Sequence, residues 1–224
     1  MTFIETIKNI QFLRGIAIRF RGILYFFIPV MCVGGRKGNK IKRNGVSVRS
    51  KVVVLGNNNT IEFQKGSVLL NAKIEIYGDS HQVFIASGAY LESTHIVIED
   101  NKCVLTIGRN TFIGPSHLAV TEDGSQLTIG EECMISSNVQ VRTGDSHAIF
   151  DASGRRINHA ASVHIGNMVW LGEGCKVLKG VTLKNNTIVS TGAIVTKSFE
   201  GNVLIGGIPA TVLKENVSWS HSRK

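Results

Sequence analysis

Between Arg142 and Trp170 the chain reads RTGDSHAIFDASGRRINHAASVHIGNMVW, a stretch that holds three of the seven histidines and one of the two tryptophans. A neutral imidazole is suited to stripping an alcohol of its proton, because its pKa lies close to working pH. His147 follows Asp145 and Ser146 and stands six residues after Val141. That spacing puts it on an inward-pointing register, where an inert histidine hydrogen-bonded in a corner reads as well as a base. Asp145 or Asp151 can orient its second nitrogen, and a backbone carbonyl can do the same. His159 and His164, five apart, offer the other chemistry, two candidate zinc ligands. A zinc site needs at least a third, and His81, His95 and His117 fall at no matching place, so no metal is expected. Arg142, Arg155 and Arg156 bring guanidinium groups that suit a carboxylated sugar.

What positions these residues is a repeat. Phe63, Ile85, Ile107 and Ile129 stand 22 apart; Leu69, Leu91, Ile113 and Ile135 form a second such register, and Ile74, Ile96 and Leu118 a third. Self-similarity at a fixed period means stacked coils, each burying its apolar face on the next. Turn residues close each copy, as in Tyr77-Gly78-Asp79-Ser80 and Glu99-Asp100-Asn101-Lys102. A coil of 18 with a four-residue extension at one corner accounts for the 22. After the stretch the period tightens: Ile165, Leu171, Val177, Leu183, Val189 and Val195 follow every six residues. Six residues per side and 18 per turn give a triangular prism of short parallel strands, an all-β solenoid. Residues 143–162 are then a loop extruded from a coil that would otherwise close.

Composition agrees. With 24 Gly, 3 Pro and 43% hydrophobic residues, the 224-residue chain favours many short strands with tight corners and can bury a core. Cys32, Cys103, Cys133 and Cys175 show no CxxC pattern and read as reduced structural thiols. The net charge of +9 is concentrated: residues 1–51 hold eleven Lys and Arg against Glu5 alone, a net of +10, which leaves the remainder at −1. A basic segment beside a neutral body suits one local anionic partner, an anionic membrane surface or an acidic glycan, and not nucleic acid. Within residues 3–27, Phe3, Ile7, Ile10, Leu13, Ala17, Phe20, Leu24 and Phe27 recur at helical spacing, predicting an amphipathic helix. The apolar run Ile23–Val33 has 11 residues and contains Pro29, short of the ~20 a bilayer-spanning helix needs. The segment has no signal-peptide pattern, so the expected location is cytoplasmic, with the helix either capping the solenoid or lying peripherally on the inner membrane face.

Several blocks in order carry a resemblance: Asp145-Ser146-His147, Ile157-Asn158, Ile165-Gly166-Asn167-Met168-Val169-Trp170-Leu171-Gly172, Thr191-Gly192-Ala193-Ile194-Val195-Thr196-Lys197 and Gly207-Ile208-Pro209-Ala210. With these, residues 52–215 resemble the hexapeptide-repeat acyltransferases, and within them the bacterial polysaccharide O-acetyltransferases, including the polysialic acid type. The resemblance implies a left-handed parallel β-helix, a homotrimer with sites between subunits, and transfer of acetyl from acetyl-CoA to a saccharide or polysaccharide hydroxyl.

Residue by residue it implies His147 as the general base and Trp170 as a second catalytic-site residue whose indole N–H supports the acyl oxygen. The backbone N–H at Glu173 falls where the family places its oxyanion donor; a glutamate there departs from some relatives, although a main-chain donor survives a change of side chain. Gly172, Thr191, Gly192 and Thr196 fall where a pantetheine arm lies close to backbone, Lys197 and Lys214 where phosphates sit, and Pro209 on the adenine side. Arg142, Asp145 and Asn158 fall on the acceptor side. Two other readings share the fold: N-acetylation of an amino sugar nucleotide, and a metal enzyme like the gamma class of carbonic anhydrases using His159 and His164. No GxxxxGK[ST] or GxGxxG motif is present, so a nucleotide energy source is not expected. The expected organisation is a basic N-terminal segment 1–51, a solenoid 52–215 and a tail 216–224.

Overall fold

The fold was obtained as a computed structural model, which describes residues 30–33 and 37–222. The amphipathic helix expected within residues 3–27 lies outside the described residues. Within them the chain is a β-solenoid whose strands form three sheets of eight, seven and nine members, here faces A, B and C. Each coil lays one strand on each face in that order, so sheet neighbours come from successive coils. The solenoid is a left-handed parallel β-helix. Among the named strand pairs only the last, Val203–Gly207 with Ala210–Glu215 on face C, runs antiparallel and closes that sheet.

The 22-residue period has a different origin from the one expected. Face A strands such as Lys73–Tyr77 and His95–Ile98 bury two residues each, Ile74 with Ile76 and Ile96 with Ile98. Face B strands such as Gln82–Ile85 and Val104–Ile107 also bury two, whereas face C strands bury one apiece at Leu91, Ile113 and Ile135. The additional residues therefore widen two faces and their shared A/B corner, instead of enlarging a corner alone. After Val163–Ile165, which still buries two side chains, and before the final hairpin, the strands have two residues, one side chain in and one out, as at Trp170–Leu171, Lys176–Val177 and Thr182–Leu183. Stacked aliphatic columns fill the prism, and each buried Ile or Leu contributes about 1.5–3 kcal/mol.

The corners are held by side chains that replace missing backbone partners. At the A/B corner Asp79, Asn101 and Asp123 each accept, through Oδ1, the N–H of the residue 22 earlier, Asn57, Asp79 and Asn101, at 2.7, 3.1 and 2.9 Å. Just inside runs a buried polar column. Asn59 Oδ1 accepts the His81 N–H at 2.8 Å, and His81 Nδ1 accepts the Cys103 N–H at 3.1 Å. His81 is thus a satisfied core histidine. Cys103, Cys133 and Cys175 are free and buried, as expected of structural thiols.

The solenoid also begins earlier than residue 52. Strands Val30–Val33, Lys40–Arg43 and Val46–Val48 already pair in parallel with the first strands of all three faces. The first coil escapes the repeat because Met31 pairs with Val52 and Ile41 with Ile61, steps of 21 and 20, while Ser47, at the regular step of 22 before Leu69, is polar. Much of its basic charge lies outward, since Lys40, Lys42 and Arg43 are exposed around a half-buried Ile41. No helix among the described residues is long and apolar enough to cross a membrane.

Candidate active site

The extruded loop leaves the prism at the A/B corner and returns to it. Thr143 is buried, and its carbonyl accepts the Ala161 N–H at 2.9 Å, closing the base of the arm. A Cβ at Gly144 would stand 2.5 Å from Thr121 Oγ1, so a side chain at this exit would displace the Thr121 hydroxyl. Beyond it the arm is an antiparallel excursion in which Ile157 N–H donates to the Ile149 carbonyl at 2.9 Å. Its tip is tied by Asp151, which accepts from the Ser153 and Arg155 N–H groups at 2.9 and 3.0 Å. Ile149, Phe150 and Ile157 remain 54%, 61% and 57% exposed.

His147 sits on this arm and is exposed. The inward register expected from Val141 ends at Thr143, because the chain turns out of the coil before reaching His147. Neither expected carboxylate orients the ring: Asp151 is engaged in the tip, and Asp145 accepts from Lys179 Nζ at 2.5 Å and Asn158 Nδ2 at 3.0 Å. The Lys179 ammonium, aided by Asn158, holds the Asp145 carboxyl below the usual carboxylate range. Asn158 serves the arm internally, its Nδ2 donating to the His147 carbonyl at 2.7 Å and its Oδ1 accepting from Ile149 N–H at 2.7 Å. On the opposite side Arg156 donates to Glu122 at 2.5 Å. Burial pushes the Glu122 carboxyl up, but Arg156 and the Ala160 N–H outweigh it and the net shift is downward. The arm is thus tied to the coil before it through Glu122 and to the coil after it through Lys179. Arg142, half-buried, ends the face A strand from which the arm departs.

A second group lies elsewhere. Trp170 points outward on face C, 40% exposed, with its Nε1 at 3.4 Å from Ser136 Oγ. Just past it, at the C/A corner, a Cβ on Gly172 would meet the Val189 carbonyl oxygen at 2.6 Å and the Thr191 nitrogen at 2.7 Å, so the coils there stack too closely for a side chain. Glu173 is exposed; its carbonyl accepts the Gly192 N–H at 2.8 Å, while its own N–H meets no protein acceptor among the described residues. Thr191 and Gly192 form the next step of the same corner, and the exposed Pro209 the hairpin turn above it, with Lys214 exposed on the final face C strand. Thr196 and Lys197 fall instead on the A/B corner, in the column of Thr143, Ala161 and Lys179 at steps of 18, and the Lys197 ammonium lies 5.6 Å from the Phe199 ring centroid. One protomer therefore carries two half-sites on different sides of the prism: the arm with Arg142, Asp145, His147, Asn158, Thr196 and Lys197, and the C/A corner with Trp170, Gly172, Glu173, Thr191, Gly192, Pro209 and Lys214.

No protein-family model matches the chain. The solved structure of the polysialic acid O-acetyltransferase OatWY superposes on it with a TM-score of 0.80 and 28% identity, over 87% of this chain and 93% of that one. The chain belongs to the hexapeptide-repeat acetyltransferases. The polySia-specific acetyltransferase NeuO superposes with a TM-score of 0.64 and 29% identity, over 87% of this chain and 90% of that one. In sequence, the polysialic acid O-acetyltransferase of Escherichia coli O1:K1 / APEC is 34% identical over 93 residues, 41% of this chain and 30% of that protein's length. The chain thus spans less than a third of that curated relative.

Three residues of this hexapeptide-repeat chain were not found from its sequence. Lys179 is the third member of the 18-residue column that runs from Thr143 through Ala161, so the lattice carries the signal for it. Glu122 reads as an ordinary turn acid, and Trp219 stands in a tail with no repeat to place it. His164 faces outward on face B with its Nδ1 2.9 Å from Thr128 Oγ1, and no group of three or more His, Cys, Asp and Glu side chains converges among the described residues.

Proposed function

We propose that this protein transfers acetyl from acetyl-CoA to a hydroxyl of a bacterial surface saccharide or its precursor, with His147 as the base. The observation that carries the reading is an exposed imidazole on an arm tied to the coils on both sides, in a chain similar over nearly its whole length to polysialic acid O-acetyltransferases. In this reading a neutral His147 nitrogen takes the proton of the acceptor hydroxyl as its oxygen attacks the thioester carbonyl. The negative charge that develops on the carbonyl oxygen is met by the Glu173 N–H and the Trp170 indole N–H, and one such donor is worth about 10²–10³ in rate. The tetrahedral species then expels the CoA thiolate, which recovers the proton from the imidazolium. The C/A corner fits the donor: the coils stack too closely for a side chain at Gly172, the corner at Gly192 opens to solvent with no side chain of its own, and Lys214 lies within the same half-site.

The two half-sites lie on different sides of one protomer, so the reading includes a homotrimer in which the arm of one copy meets the Trp170 side of the next. Apolar Ile149, Phe150 and Ile157, exposed on the arm of one copy, support it, because contiguous apolar surface on an isolated chain marks a contact site. Mixing subunits tests both parts. His147→Ala and Trp170→Ala proteins, each inactive alone, recover about a quarter of wild-type activity when co-assembled at random, since that fraction of sites pairs an intact His147 with an intact Trp170 of a neighbour. No recovery in verified mixed trimers rules out the shared site. The basic residues 1–51 are read as an anchor to an anionic membrane face or acidic glycan, which places the enzyme in the cytoplasm at the membrane. That reading requires binding to anionic vesicles or polymer to weaken steeply with salt and to be lost on deleting residues 1–51.

A further inference from the structure

After the hairpin strand Ala210–Glu215 the chain does not leave the solenoid but turns back along its B/C corner. Val217 N–H donates to the Asn202 carbonyl at 3.0 Å, and the Trp219 indole N–H donates to the Met168 carbonyl at 2.6 Å. His221 Nε2 lies 3.2 Å from the Glu132 carbonyl. Asn202, Met168 and Glu132 are corner residues with φ of +59°, +53° and +55°, so the tail climbs one column of left-handed corners across several coils. Met168 is two residues from Trp170, and its bond to Trp219 brings the two tryptophan rings together, with centroids 5.9 Å apart and planes at 44°. The His221 ring meets Trp219 edge-on at 4.6 Å.

A tail that merely capped the prism would cover core residues. This one packs against an outward side chain and leaves Trp170 40% exposed. Its neighbours in the outward row, Met134 and Ile188, are both half-buried. With Ser136 Oγ at 3.4 Å from its nitrogen, the Trp170 indole is held from two directions, by Ser136 and by Trp219. We propose that Trp219 is a positioning residue for Trp170: the tail 216–222 is part of the transfer site and fixes the plane in which the Trp170 N–H is presented. The proposal rests on Trp170 acting in acetyl transfer as set out above. Such a role follows from the sensitivity of transfer to geometry, since a displacement of about 1 Å in a supporting group costs up to 10²-fold in rate.

The test uses the full-length protein and its Trp219→Ala, Trp219→Phe and Trp170→Ala variants, followed by near-ultraviolet circular dichroism and by transfer kinetics well below the melting temperature. The paired rings give a coupled tryptophan signal that disappears equally in Trp219→Ala and Trp170→Ala. Trp219→Ala lowers kcat by about 10- to 100-fold while the KM for acetyl-CoA stays within about twofold, and Trp219→Phe, which keeps an aromatic ring, restores most of the rate. Loss of the signal with kcat unchanged in Trp219→Ala makes the tail a structural staple and overturns the positioning role. Absence of any coupled signal in the wild type overturns the contact itself. Full activity in Trp170→Ala instead removes the premise, a result that kinetics on that variant alone reveals.

Discussion

Lys179 donates to the Asp145 carboxylate at 2.5 Å and to the Asn158 carbonyl at 2.9 Å, joining the coil after the arm to both the outgoing and the returning limb of the arm. With Arg156 bound to Glu122 on the opposite side, this makes the arm a fixed part of the solenoid. The exposure of His147 then expresses placement, since the chain that carries it is tied at its base.

Removing that tie has a measurable cost. Lys179→Met keeps the aliphatic stem and deletes the ammonium, leaving Asp145 without its cation. Turnover falls by about 10- to 100-fold through misplacement of His147, while melting changes little because a partly exposed ion pair contributes about 1 kcal/mol or less. Kinetics beside thermal unfolding separates the two effects.

The same carboxylates set a pH boundary. Asp145 and Glu122 have folded pKa values below their unfolded ones, so their ties are fully formed above the ordinary carboxylate value near ~4 and are lost as pH falls through the lower folded values. Pepsin cleavage near the exposed Phe150, divided at each pH by pepsin's own rate on an unstructured peptide, accordingly stays constant from about pH 5 down to about pH 4 and rises only below it. A rise already at pH 5 contradicts the assignment.

Thiol chemistry offers a third check. Burial pushes the thiols of Cys133 and Cys175 up to about 11 and about 12, and that of Cys103 upward as well. These three resist alkylation at pH 8 in the native protein and react on denaturation, as mapped by mass spectrometry of the modified peptides.

Core substitutions report on the stacking. Ile96 and Leu105 are fully buried between coils, and truncating either to alanine destabilises the chain by about 2–5 kcal/mol in denaturant unfolding.

Much of this was legible because a solenoid writes its lattice into the sequence. The six-residue steps from Ile165 to Val195 each fall on a buried, inward position, and the break at 143 marks the arm. The first coil was missed since its registers of 20 and 21 residues match neither period. The lattice points His147 inward only when it is extended three residues past Gly144, where the chain departs. Lys179 was there to be found on the 18-residue column, whereas Trp219 was not. Its place depends on a reversal after the final hairpin, and no period records a chain that folds back over its own corners.

The central claim concerns one imidazole, and single-turnover acetyl transfer by His147→Ala, set beside acetyl-CoA affinity measured by calorimetry, tests it most directly. The transfer rate falls by about 10²–10⁴-fold while the affinity for acetyl-CoA stays unchanged within about twofold. Transfer at a near wild-type rate by a variant that still binds acetyl-CoA would contradict it.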